Sequence, residues 1–222
     1  MTPRRKISTI REQVYDQLRD EISNGDYTPG SRLQEVELTE RLNVSRSPVR
    51  EALRQLVKDG LLIEIPNKGV YVKEFTVRDI EEIFDLRVLL ESYAIYHSAG
   101  HITSARLKRL LDLLSELETS YREGDLVAYT AADEDLHMKI VRLANNSLVN
   151  DTYERVRSMN QQFRILSLMD EQRFRESLEE HREIIHALAT GNPDTADAVN
   201  RRHLAAAMEA ICKRMKDRQK DS

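Results

Sequence analysis

The sequence predicts a mainly α protein in two parts: a small N-terminal head of three helices plus a β-ribbon, then a C-terminal all-α helical bundle. Three observations carry that expectation. Seven Gly, five Pro and no Trp in 222 residues leave little material for many tight turns. Apolar residues recur at helical spacing along most of the chain, and the exception is a β-prone stretch around residues 61–72. Charged residues are 32% and hydrophobic residues 40%, enough to build cores and too apolar for a disordered chain.

In the head, Ile10, Val14, Leu18 and Ile22 recur every fourth residue and define one helical face, stopped by Gly25 and the loop 26–30. Val36, Leu38 and Leu42 suit a short second helix, broken at Asn43-Val44. Ser45 is placed to cap a third helix that tolerates Pro48 in its first turn. That helix carries Val49, Ala52, Leu53, Leu56 and Val57 inward and ends at Gly60. Leu61–Ile65 and Val70–Val72 read as strands joined by the hairpin loop 66–69. Three helices followed by a two-stranded ribbon is the element order of a winged helix-turn-helix. From Thr76 onward only helical periodicity remains. Breaks near Gly100, Gly124, Asn145-Asn146, Asp170 and Gly191–Pro193 delimit about six helices of roughly 17–25 residues. The expected domains are residues 1–76 and 77–222, with no Gly/Ser linker between them.

Composition narrows the function classes. A single cysteine, Cys212, excludes an intramolecular disulfide framework and fits a reducing compartment. No apolar run approaches the roughly 18 residues of a membrane-spanning helix, and MTPRRKISTI lacks the apolar core of a secretory signal. A cytoplasmic protein with no membrane partner is expected. Residues 1–77 carry 13 Lys+Arg against 12 Asp+Glu, and residues 78–222 carry 21 against 26. One unit of positive charge on the head decides nothing by itself, so the placement of its arginines matters more.

Arg46 and Arg50 lie four apart in the first turns of the third helix, away from the inward Val49 and Leu53. The start of that helix enters the major groove in a helix-turn-helix, where Arg can bond guanine O6 and N7 together. Ser47 can contact phosphate or base, Arg32 can reach phosphate, and Lys68 and Gly69 sit at the ribbon tip. Gly69 would let backbone approach DNA closely. The segment VSRSPVREALRQLVKDGLL, the wing IPNKGVYV and the preceding QLRDEISNGDYTPGSRLQEVELTERLNV resemble the winged-helix head of the GntR family of bacterial transcription regulators. The resemblance covers about residues 8–75. By position it implies DNA contacts at Arg32, Arg46, Ser47, Arg50 and Gly69, with Glu35 a weaker candidate. Ser47 stands where Thr is common, and Val36 stands where some relatives use Arg.

The helical body holds a polar set at inward positions. Asp133 and His137 are four apart on a stripe that runs through Leu126, Tyr129, Val141 and Ala144. His181 shares its stripe with Leu178, Ile184, Ile185 and Leu188, and His203 shares its own with Ala196, Val199 and Ala207. His186, among Arg182, Glu183 and Thr190, is expected to face outward. His181 lies 10 residues before Gly191 and His203 lies 12 after it, so in an antiparallel hairpin they stand at about the same level, roughly 15–18 Å from the turn. An inward Asp is costly unless paired or metal-bound. One Asp and three His suit a divalent transition metal, against the alternative of a buried Asp–His pair beside ordinary core histidines. Zinc is placed first, with nickel, manganese or iron as alternatives.

DEDLH, EEHREIIHAL, RRHLAAA and FDLRVLLESYA resemble segments of the FCD ligand-binding domain of the FadR-like subfamily, over about residues 78–215. That resemblance implies Asp133, His137, His181 and His203 as metal ligands, with Leu136 where the family usually has Phe.

Arg87 interrupts the apolar stripe of Ile80, Ile83, Phe84, Leu90 and Ala94, and two readings stand: a clamp on an effector carboxylate or an internal salt bridge. Arg157, Asn160, Gln161, Arg164 and Ser167 form a polar stripe, read as a solvated face in preference to a cavity wall. Arg164 is kept as a second candidate effector ligand.

The function expected is a ligand-responsive transcription regulator, a repressor in the first instance. It would bind a palindromic double-stranded operator as a homodimer and respond to a small carboxylate metabolite. A regulator whose metal is purely structural is the alternative. A metal-dependent enzyme is set aside, because no phosphate loop, nucleophile motif or evident general base accompanies the ligand set.

Overall fold

A computed structural model of the protein describes residues 9–98 and 100–220, and its contacts divide into two compact units that meet in sequence at Phe75 and Thr76. The basic stretch before Thr9, with its reading as no secretory signal, lies outside the described residues.

In the first unit, α1 spans Ile10–Asn24, β1 Arg32–Leu33, α2 Glu35–Leu42, α3 Arg46–Lys58, β2 Leu62–Ile65 and β3 Gly69–Val72. Thr9 and Glu12 close a capping box at the start of α1: the Thr9 hydroxyl accepts from the Glu12 N–H, and Glu12 accepts from the Thr9 N–H. Gly25 ends the helix at φ 84°, a left-handed conformation that costs glycine nothing. Val14, Leu18 and Ile22 are buried, but Ile10 is exposed, because the first turn stands past the edge of the packed face. Asn43 takes the left-handed conformation that separates α2 from α3. Ser45 occupies the N-cap position of α3 with extended backbone, yet its side chain makes no capping hydrogen bond. In α3, Val49, Ala52, Leu53 and Leu56 are buried, and Val57 is half-buried.

The ribbon is a three-stranded antiparallel sheet in the order β1-β3-β2, not the expected two strands. β1 is two residues long, too short to leave a periodic signal, and pairs Arg32 with Tyr71 and Leu33 with Val70. β2 pairs Leu62 with Val72 and Ile65 with Gly69 across the hairpin. Leu18, Ile22, Leu53, Leu56, Leu61 and Leu62 meet in one core.

In the second unit the described residues form α4 (Val77–Ser98), α5 (Ser104–Glu123), α6 (Leu126–Arg142), α7 (Ser147–Ser167), α8 (Glu171–Ala189) and α9 (Pro193–Lys220). α9, at 28 residues, runs beyond the expected length because no Gly or Pro interrupts it after Pro193. α4 packs on α6, α7 and α9; α8 packs on α5 and α9. Ile95, Leu110, Leu117, Tyr129, Leu136, Ile140 and Ile184 form the apolar heart of this bundle. A smaller group of Ala94, Met138, Val141 and Tyr153 packs beside it. These contacts hold the histidine-bearing helices α6, α8 and α9 in one body.

Each fully buried Leu in the head contributes about 1.5–3 kcal/mol by leaving water. Leu56→Ala should therefore destabilise the first unit by about 2–5 kcal/mol, the transfer loss plus the cavity. Faster amide hydrogen exchange in α1 and α3, with α5 and α8 unchanged, is the expected reading.

Candidate nucleic-acid and metal sites

In the first unit the candidate DNA residues fall into two groups. Arg46 and Ser47 open α3 and are exposed, and Ser47 donates to Glu51 at 3.3 Å. Arg50, one turn on, is forked onto Glu35 of α2, with Nε to Oε1 at 3.1 Å and Nη2 to Oε2 at 3.0 Å. Glu35 thus fixes the direction of the Arg50 guanidinium and leaves its Nη1 outside those bonds. At the wing, Lys68 is exposed and its backbone N–H closes the turn onto the Ile65 carbonyl at 3.0 Å. Gly69 sits at φ 112°, and a Cβ placed there would lie 3.1 Å from Nε of Arg32. The space left by the missing side chain is thus taken from within by the Arg32 guanidinium.

In the second unit Asp133 and His137 of α6, His181 of α8 and His203 of α9 converge, with one ligand atom from each lying within 4.8 Å of the others. His181 Nε2 is 3.0 Å from Asp133 Oδ1, His137 Nε2 is 3.2 Å from His203 Nε2 and 3.4 Å from His181 Nε2. All four residues are buried, and His186 is exposed.

The outer ring nitrogens explain the tautomers. His137 Nδ1 donates to Glu91 Oε2 at 2.9 Å, and His203 Nδ1 donates to Glu180 Oε2 at 2.9 Å. His181 Nδ1 donates to the Tyr129 hydroxyl at 3.3 Å, which itself donates to Ser177 at 3.1 Å. With Nδ1 protonated, each Nε2 presents a lone pair inward beside the Asp133 carboxylate. Four acceptors aimed at one another repel unless a cation lies among them, so the donor set fits a divalent metal ion.

Burial lowers the basicity of His137 and His203, and the neighbouring histidines lower His203 further. Burial acts to raise the Asp133 pKa, but Arg164 and the flanking histidines outweigh it and hold the carboxyl well below its ordinary range. Glu91 behaves alike: burial opposes ionisation, while His137 and Arg87 keep it ionised.

Arg87 donates to Glu91 Oε1 at 3.1 Å, an internal salt bridge within its own helix, and Tyr153 donates to the same oxygen at 2.8 Å. Arg164 bonds the second oxygen of Asp133. The polar stripe of α7 corrects the expected solvated face: Asn160, Arg164 and Ser167 are buried, and Arg157 reaches Glu134. Its cause is the packing of α7 on α4, α6 and α9, which turns that stripe toward the cluster. Arg87, Asp133, Asn160, Arg164 and His203 line one small cavity together with Arg173. Sequence reasoning missed Glu91, Arg173 and Glu180. The available signal was their place on apolar stripes, Glu91 one turn after Arg87 and Glu180 beside His181.

Residues 82–206 match the model of the FCD domain, and residues 10–72 match that of bacterial regulatory proteins of the gntR family. The chain belongs to the GntR family. YdhC of Bacillus subtilis (strain 168), an HTH-type transcriptional regulator, is 30% identical over 205 residues, 92% of this chain and 90% of YdhC. RspR of Escherichia coli (strain K12), an HTH-type transcriptional repressor, is 26% identical over 202 residues, 91% of this chain and 89% of RspR. The solved structure of a GntR transcriptional regulator from Rhodococcus sp. RHA1 superposes with a TM-score of 0.77 at 28% identity, covering 92% of this chain and 98% of that one. This GntR–FCD protein is a DNA-binding transcriptional regulator and not an enzyme. GntR regulators bind DNA and dimerise, and FCD domains commonly bind metal. No helix among the described residues is long and apolar enough to cross a membrane.

The lowered basicity of His137 and His203 sets a pH dependence for the metal-stripped protein. Below about pH 6.5 the unfolded chain takes up protons at these histidines that the folded chain refuses. Stability is therefore greatest above that range and falls as the pH descends through it. The melting temperature of chelated protein should drop between pH 7.5 and 5.5, in a window separate from the acid loss of Glu91 and Asp133 below about pH 4. A flat profile across that range would contradict neutral, buried histidines.

Proposed function

We propose that this protein is a ligand-responsive repressor of the bacterial cytoplasm. As a homodimer, it binds a palindromic operator through residues 1–76 and senses a small carboxylate through residues 77–222. Arg46, Ser47 and Arg50 read bases, Arg32, Lys68 and Gly69 make the wing contact, and Glu35 orients Arg50. Asp133, His137, His181 and His203 hold a divalent transition metal, zinc first, and Arg87 and Arg164 clamp the effector carboxylate beside it. A bound divalent ion supplies positive charge and open positions for oxygen ligands. The repressor name borne by RspR supports the sign of regulation.

The observation that carries the reading is the convergence of one Asp and three His within 4.8 Å, each ring held by an outward hydrogen bond. An effector beside that cluster would touch α4, α6, α7 and α9 together. It shifts operator affinity only if it binds the DNA-free arrangement more tightly than the DNA-bound one. The cavity size favours a second reading, in which the metal braces the bundle and no organic ligand enters. Its volume of about 10 Å³ has room for roughly one water.

Two experiments test these assignments. On an operator selected from random duplexes, Arg46→Ala and Arg50→Ala should each cost about 1–3 kcal/mol and relax base preference, while Arg32→Ala should weaken all sequences alike. Unchanged affinity in both α3 variants would remove that helix from the groove. Separately, His181→Ala with His203→Ala should empty the metal site by elemental analysis and abolish the response to organic acids, with operator binding retained. Full metal content in the double variant would refute the ligand set. A metal-dependent melting shift with no acid response in the wild type would select the second reading.

A further inference from the structure

The cavity beside the metal cluster carries more cationic hydrogen-bond donors than one carboxylate can satisfy. Arg87 of α4, Arg164 of α7 and Arg173 of α8 line it and are all buried. Each has one buried carboxylate partner: Glu91 for Arg87, Asp133 for Arg164, and Glu180 for Arg173 at 2.7 Å. Even so, Nη2 of Arg87, Nε and Nη2 of Arg164, and Nε and Nη1 of Arg173 are buried without a hydrogen-bond partner. Both amide atoms of Asn160, on the same wall, share that condition. Glu176 comes only to 3.9 Å from Nη1 of Arg173, outside hydrogen-bond reach, and is half exposed.

Buried guanidinium N–H groups without acceptors are costly, and these come from three helices around one space. The Nε–Nη2 edge of Arg164 is a free fork of the shape that takes one carboxylate through two parallel bonds. That fork and Arg87 suffice for one carboxylate, which leaves Nε and Nη1 of Arg173 without an acceptor. The charge count agrees. Three arginines against Glu91, Asp133 and Glu180 sum to zero, so a divalent ion on the cluster leaves two positive charges for the ligand to balance. Asn160 adds a donor and an acceptor suited to a hydroxyl between two carboxylates.

We propose that the ligand of this site is a small dianion, a hydroxy-dicarboxylate, with one carboxylate on the Arg164 fork and the second on Arg173. The proposal rests on the effector reading above. The cavity now has room for roughly one water, so the arginine side chains swing outward to admit the ligand.

Three pairs of acids of equal chain length test this by titration calorimetry on full-length, zinc-loaded protein: tartronate against lactate, malate against 2-hydroxybutyrate, and 2-hydroxyglutarate against 2-hydroxyvalerate. Within each pair only a terminal carboxylate and a methyl differ. At least one diacid should bind more than about tenfold tighter than its partner. Arg173→Met, with zinc content checked, should bring that pair within about twofold by weakening the diacid alone. The wild-type comparison stands even if the variant fails to fold. Monoacids that bind as tightly as diacids throughout would overturn the dianion and leave the carboxylate effector standing. Absence of binding by all six acids would overturn both.

Discussion

Three imidazole lone pairs and a carboxylate share one sealed space in a helical core, and the helical unit is organised around that repulsion. Each histidine is held off by a bond from its far nitrogen, to Glu91, Glu180 or Tyr129. Two of those holders are themselves buried carboxylates, which a core tolerates only with cationic or hydroxyl partners. Arg87 and Tyr153 serve Glu91, and Arg173 serves Glu180. The polar layers continue outward until they reach half-exposed groups such as Arg157 and Glu176, where water takes over. A network of this kind is specific because any member left alone is costly, so the helices that contribute to it have few alternative registers.

The head solves a simpler problem. Its core is apolar and, apart from the buried Asp59, its charged groups lie outside, so the cost of holding an arginine in position is small. Glu35 holds Arg50 through a forked contact that water partly screens. The pairing orders a side chain that would otherwise lose rotamer freedom on meeting DNA.

Much of this architecture is legible in the sequence because helical period is a strong signal. Asp133 and His137 fall on one stripe, and counting outward from Gly191 brings His181 and His203 level without any structural input. The same method fails where a charge sits on an apolar stripe. Glu91 and Arg173 occupy positions whose burial depends on partners from other helices, and periodicity carries no information about those partners. The α7 stripe fails for the same reason: Asn160 and Arg164 look like a wet face until the packing of α4 and α9 covers them. β1 escapes because two residues cannot show a period of two. The Arg32–Gly69 contact escapes because it joins residues of strands that the sequence does not reveal as neighbours.

That last contact couples two positions of the wing. A side chain arriving first at position 69 meets both an occupied space and a φ of 112°. If Arg32 is shortened first, the space opens and only the backbone strain remains. The coupling between the two positions is small, because the guanidinium is the far end of an exposed, flexible side chain that can move aside by a few tenths of an ångström, and the backbone strain at position 69 is met in either order.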